Sequence, residues 1–203
     1  MADRPPHLVV VAGTGTEVGK TWVAAALARL LAPDVAARKP AQSFDAPPSD
    51  ADVLAAATGE DPDVVCLPHR SYPVAVAPFM AAARLDRPPF TLDDLLAELR
   101  WPVGVRVGIV EAAGGVRSPI ASDGADTVAL CDALRPDEVV LVADAGLGTL
   151  NAVRLCVDAL AGHPVTVLLN RFDAGDPLHA DNRAWLAGHL DAPVVTDVKD
   201  LVV

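Results

Sequence analysis

Apolar residues fall in short unbroken runs, with stretches of helical spacing between them. The runs are Leu8-Val9-Val10-Val11-Ala12, Val35-Ala36-Ala37-Arg38-Lys39, residues 105–110, residues 138–143, residues 164–169 and Val194-Val195. Runs of this kind, near-continuously apolar instead of alternating, mark strands covered on both faces, as in a parallel sheet. Helical spacing is read over residues 21–31, 50–57, 92–100, 126–134 and 178–189, and a further helix follows the turn at residues 144–151 and runs through residue 160. Ser49 and Thr91 stand where N-caps belong, Gly59 where a helix stops, and Leu92, Leu95, Leu96 and Leu99 fall on one face. Pro40 stops the second run, and a polar loop follows over residues 41–48. Prolines at 62, 68, 73, 78, 88 and 89 leave room for little regular structure between residues 61 and 89, except a short helix over 80–84. Strand and helix alternate with no linker or repeat. The pattern predicts one α/β domain over residues 1–203, a mostly parallel sheet with helices on both faces.

At 203 residues the chain is long enough to bury a full core, and 52% of it is hydrophobic. No apolar run approaches the length of a membrane span, and the first residues lack the basic and apolar regions of a signal peptide. A soluble cytoplasmic protein is expected. The net charge of −11 disfavours nucleic acid and anionic membranes as partners. Cys66, Cys131 and Cys156 are odd in number, far apart and set among apolar neighbours, so they read as core filling. The five histidines have no metal spacing and no Ser or Cys partner nearby. No covalent nucleophile is indicated.

The first apolar run leads into Gly13-Thr14-Gly15-Thr16-Glu17-Val18-Gly19-Lys20-Thr21, and a helix leads out. A strand, a glycine-rich turn and a helix in this order make a phosphate cradle, with backbone N–H groups aimed at phosphate oxygens. Lys20 would lie along the β- and γ-phosphates, and the Thr21 hydroxyl would hold Mg²⁺. The loop is a variant: Thr14 occupies the position where the strict pattern has its first glycine. Of the 16 basic residues only Lys20, Lys39 and Lys199 are lysine, the rest being arginine. A compact ammonium suits a phosphate site where a broad guanidinium does not, which makes Lys39 a second candidate. Glu111 ends the third strand ahead of Gly114-Gly115, well placed as a Mg²⁺ ligand beside Thr21. Asp50 and Asp52 open a helix, where acids are favoured by the dipole alone, so at most one needs a metal role. The turn over residues 146–151 offers N–H groups at another helix start, fit for a carboxylate. All these clusters lie at strand ends, where open parallel sheets bind ligands.

Together these residues resemble the dethiobiotin synthetases, ATP-dependent ring-closing enzymes of biotin synthesis and members of the P-loop NTPase superfamily. The phosphate loop, Lys39-Pro40-Ala41-Gln42-Ser43, Val110-Glu111-Ala112-Ala113-Gly114-Gly115 followed by Ser118-Pro119-Ile120, and residues 144–151 carry the likeness. The chain departs from the family pattern at Gly15, at Phe79 and over residues 194–198. The resemblance implies carboxylation of an amine of diaminopelargonic acid (7,8-diaminononanoate) by CO₂ or bicarbonate to a carbamate. Phosphorylation by ATP then gives a carbamic-phosphoric anhydride, and the second amine closes the ring. It implies catalytic roles for Lys20 and Lys39, and nucleotide contacts from Gly15, Thr16, Glu17, Val18, Gly19, Lys20, Thr21 and, at the adenine, Asn170. Mg²⁺ would be held by Thr21, Asp50 and Glu111, with Asp50 preferred over Asp52 by its spacing to Gly59. Thr16 and Ser43 would meet the diamine, and Gly148, Leu150 and Asn151 its carboxylate, in the family across a homodimer interface. The rival readings are a partition or positioning ATPase, which carries a lysine where this chain has Gly15, and a paralogous ligase with another small substrate.

Overall fold

The computed structural model describes residues 4–201; the first three residues, read above for a leader, and the last two lie outside it. Six strands, β1 (His7–Gly13), β2 (Val35–Arg38), β5 (Val107–Glu111), β6 (Glu138–Asp144), β7 (Val165–Asn170) and β8 (Val194–Val195), form one sheet in the order β2-β5-β1-β6-β7-β8. Every neighbouring pair in it is parallel. Alternate residues of the apolar runs face opposite sides. Val10, Val110, Leu141 and Val167 pack with α4 (Pro78–Arg84), α5 (Leu92–Glu98), α6 (Thr127–Leu134), α7 (Thr149–Ala159) and α8 (Pro177–His189). Val9, Val11, Ile109, Val140 and Leu168 pack with α1 (Lys20–Leu31), α2 (Asp50–Thr58) and α3 (Pro62–Val65). Both faces are covered, which is why the runs are near-continuously apolar. The three cysteines are buried and unpaired.

The proline-rich stretch is more regular than its sequence suggests. Pro62, Pro68 and Pro78 each sit in the first turn of a helix or 3₁₀ turn, where a missing N–H costs nothing and the fixed φ is already helical. Between them β4 (Ser71–Tyr72) pairs in parallel with β3 (Gln42–Ser43), inside the stretch read as a polar loop. That ladder is too short for periodicity to reveal. The fifth helix stops at Glu98, two residues earlier than its leucine spacing predicted.

The register brings the chemistry together. The chain runs from β1 out to the edge at β2, returns to β5 beside β1, and crosses to β6 on the other side. A ligand crevice is expected beyond β1, where the direction of winding reverses. Val11 pairs with Glu111, and Arg38 with Val110, so Lys39, next after β2, comes level with Glu111.

Candidate active site

The phosphate loop leaves β1 and curls onto the start of α1. Gly19 has φ 96°, a left-handed conformation that side chains resist, and a Cβ there would lie 2.1 Å from Asn170 Nδ2. At Gly13 a Cβ would come within 2.8–2.9 Å of the Lys20 stem and Val18. The variant loop thus keeps its first glycine where the lysine stem folds back. Lys20 Nζ donates to the Gly15 carbonyl at 2.8 Å. Burial, with the Lys39 charge adding to it, lowers the Lys20 pKa to about 8.

Beside it lies a charge cluster. Lys39 Nζ is 2.6 Å from Glu111 Oε1 and 2.7 Å from Asp50 Oδ2, and 3.3 Å from the Ala112 carbonyl. The Thr21 hydroxyl lies 2.8 Å from Asp50 Oδ1 and 2.9 Å from Glu111 Oε1. Lys39 is 2% exposed and Glu111 fully buried. Burial alone would lower the Lys39 pKa, but the two carboxylates outweigh it and hold the pKa above its ordinary value. Burial pushes the Glu111 carboxyl up, against the pull of Lys39. Burial would raise Asp50 too, but Lys39 and the Thr21 hydroxyl hold it below the usual carboxylate range.

Glu111 Oε2 is buried and has no hydrogen-bond partner. With the Thr21 hydroxyl and the Asp50 carboxylate it makes an all-oxygen donor set, the kind a hard divalent cation takes. Among the described residues no cluster of three or more His, Cys, Asp or Glu could hold a metal by itself. Phosphate and water oxygens would have to complete the shell, as is usual for Mg²⁺.

A cleft of about 820 Å³ opens over this cluster, within the range of about 300–1,000 Å³ for small-molecule sites. Thr16, Glu17, Gly19, Lys20, Thr21, Lys39, Ser43, Asp50 and Glu111 all line it. Asp52 instead closes a capping box with Ser49, and Asp50 is the one of the two acids that lines the cleft. Gly15, Val18, Gly148, Leu150, Asn151 and Asn170 do not line the cleft. Asn151 is exposed in the first turn of α7, and Leu147, on the turn that leads into the helix, is 93% exposed. Asn170 Nδ2 donates to the Val18 carbonyl at 2.9 Å, so the donor end of the amide faces the phosphate loop. A smaller cavity of about 380 Å³, lined by Leu8, Leu96, Leu99 and Trp101 among others, sits beside the start of β1, away from this chemistry.

Sequence reasoning passed over two groups. Phe44, Asp45, Val76 and Pro78 form the far wall of the cleft. The Gln42 amide, 3% exposed, accepts from Ala51 N at 2.9 Å and donates to Ser71 Oγ at 2.8 Å. It ties the helix start that carries Asp50 to the β3–β4 pair. A glutamine directly before a candidate substrate serine was the available signal.

A family profile described as an AAA domain matches residues 7–201. The ATP-dependent dethiobiotin synthetase of Haloferax mediterranei is 38% identical over 198 residues, covering 94% of this chain and 83% of the relative. That of Rhodococcus jostii is 39% identical, covering 76% and 68%, and that of Caulobacter vibrioides 39%, covering 77% and 75%. Among solved structures, the signal recognition particle receptor FtsY of Elizabethkingia anophelis in complex with GDP has a TM-score of 0.58 at 16% identity, covering 100% of this chain and 61% of that one. A plasmid partition protein of Borrelia burgdorferi bound to AMPPNP has 0.55 at 15%, covering 96% and 88%. At such identities the structures speak for the fold alone, a P-loop NTPase sheet, whereas the sequence relatives span most of both chains. The chain belongs to the dethiobiotin synthetase family.

Proposed function

We propose that the protein makes dethiobiotin from diaminopelargonic acid, CO₂ and ATP, working as one synthetase domain over residues 1–203. The observation that carries this reading is Lys39, buried between Asp50 and Glu111 and open to the same cleft as Lys20. The reaction needs no protein nucleophile, only placement and charge neutralisation. Lys20 leads the γ-phosphate into place. Lys39 stands where the carbamate oxygen attacks phosphorus, and steadies the charge that builds there. Thr21, Asp50 and Glu111 are the residues that would hold Mg²⁺, which when bound neutralises phosphate charge. Thr16 and Ser43, on the cleft wall, receive the diamine.

The turn carrying Gly148, Leu150 and Asn151 receives the substrate carboxylate of a second copy. Its exposure supports this, as does that of Leu147 and of Leu155, 62% exposed one helical turn beyond Asn151. Asn170 contacts the adenine through the oxygen end of its amide, its nitrogen being held by Val18. No helix among the described residues is long and apolar enough to cross a membrane.

The test is ATP turnover with diaminopelargonic acid and bicarbonate, omitting each in turn, with the product identified by mass. Dethiobiotin formed only in the complete mixture is the expected result. ATP hydrolysis indifferent to the diamine would favour a positioning ATPase, and turnover with a different amine would favour a paralogous ligase.

A further inference from the structure

Two consecutive side chains at the end of β7 hold two consecutive carbonyls of the phosphate loop. Asn170 Nδ2 donates to the Val18 carbonyl at 2.9 Å, and the Arg171 guanidinium donates to the Glu17 carbonyl. The same guanidinium lies 3.5 Å from Asp144 Oδ2. Asp144 is itself fixed, its Oδ1 accepting from Gly146 N at 2.9 Å. A peptide unit is planar and trans, so its N–H points opposite to its C=O. The Glu17 carbonyl shares a unit with the Val18 N–H, and the Val18 carbonyl with the Gly19 N–H. Drawing both carbonyls toward β7 turns both N–H groups the other way. The cleft is on that other side: Gly19, Lys20 and Thr21 line it, and neither Asn170 nor Arg171 does.

The backbone between them needs such support. Glu17 has φ 60° and Gly19 φ 96°, so the loop visits the left-handed region twice in three residues. Alternation of this kind forms a concave nest of N–H groups that receives an anion. For a residue with a side chain the left-handed region costs roughly 1–2 kcal/mol. Glu17 is therefore held there by its surroundings.

We propose that Asn170 and Arg171 are positioning residues that clamp the phosphate loop from behind, in the form that receives a polyphosphate, with Asp144 bracing the arginine. The role is distinct from any contact with the base, and the probe that separates the two is a polyphosphate without a base. Binding of tripolyphosphate and of ATP, each with Mg²⁺, is measured by calorimetry for the parent, Asn170→Leu and Arg171→Met. Thermal melting is run on all three. The expected result is a loss of about tenfold for both ligands in each variant, the scale of one charge-assisted or buried hydrogen bond. Asn170→Leu changes no charge. Arg171 is exposed, so Arg171→Met tests the clamp even where Asn170→Leu fails to fold. Its loss should persist at 0.5 M salt, where the Debye length is only a few ångströms.

Unchanged tripolyphosphate binding in a folded Arg171→Met protein would overturn the proposal, whatever happens to ATP. A loss that disappears at 0.5 M salt would overturn it as well, because Arg171 would then be acting only as a surface charge. Neither result depends on whether the diamine is the substrate.

Discussion

Lys39→Arg tests the centre of the site. The Lys39 ammonium has three neighbours, at 2.6 Å (Glu111 Oε1), 2.7 Å (Asp50 Oδ2) and 3.3 Å (the Ala112 carbonyl), and is 2% exposed. There is no slack for a planar fork. A guanidinium prefers to grip both oxygens of one carboxylate. Here the second oxygen is Glu111 Oε2, the buried atom without a partner that the proposed Mg²⁺ site would use. Arginine would thus take a metal ligand and shift the cation away from the reacting oxygens. Loss of a single preorganised transition-state contact costs about 10²–10³ in kcat, or about 2.7–4 kcal/mol. Forcing extra atoms into a packed site adds about 1–3 kcal/mol of destabilisation. The assay is phosphate release with all substrates saturating, beside ATP binding and a thermal melt. The expected outcome is kcat down by at least about 10²-fold, ATP affinity nearly unchanged and a melting temperature a few degrees lower. A folded Lys39→Arg enzyme with kcat within about twofold of the parent would refute the reasoning, since it would place Lys39 outside the transition state.

Three further outcomes are expected. Glu111→Gln replaces an anionic ligand with a neutral amide, so the Mg²⁺ concentration for half-maximal turnover should rise by about tenfold or more; an unchanged Mg²⁺ titration would remove Glu111 from the metal site. Asn151→Ala should raise the KM for the diamine more than that for ATP, because the residue is exposed in the first turn of α7, outside the cleft that Lys20 and Lys39 line; the opposite order would move the carboxylate site elsewhere. Gln42→Leu leaves the buried Ala51 N–H without its acceptor, which should cost about 1–3 kcal/mol in urea unfolding and raise the Mg²⁺ requirement through Asp50; parental stability and Mg²⁺ response would show that the amide fixes nothing.

The sheet was legible because its strands obey one constraint. Buried on both faces, they had to be apolar at most interior positions, and the runs stand out for that reason. The phosphate loop was legible because glycine, lysine and threonine are each needed for a different physical task within nine residues. Lys39 stood out only against a background of arginine. The segment from Pro62 to Pro78 was misread because proline has two opposite meanings, breaking a helix inside and favouring it at the first turn. Asp61, the residue ahead of Pro62, was the sign that told them apart: its side chain accepts from Asp63 N and caps the helix. The backbone contacts of Gln42, Asn170 and Arg171 were not legible, although the place of Gln42 directly before Ser43 was a signal and Asn170 was expected at the adenine. Each acts through a contact with the backbone of a distant residue, and a carbonyl or an N–H leaves no mark on the sequence at its own position.

The two lysines of the cleft are held differently, and the difference assigns them different work. Lys20 donates to a single carbonyl, that of Gly15, and burial has brought its pKa to about 8. A carbonyl is a weak partner for an ammonium, and an arriving phosphate replaces it at a gain. Lys20 is therefore free to turn toward the anion and should govern its binding. Lys39 is gripped by two carboxylates that raise its pKa, one of them fully buried. Leaving both would strand the fully buried Glu111 carboxylate, at a cost of about 3–5 kcal/mol for a broken buried pair. An ammonium that cannot follow the substrate is of little use for capture. Held in a fixed place with its orientation already set, it acts where charge develops during the reaction. Nucleotide affinity should thus follow Lys20, and the rate of the chemical step should follow Lys39.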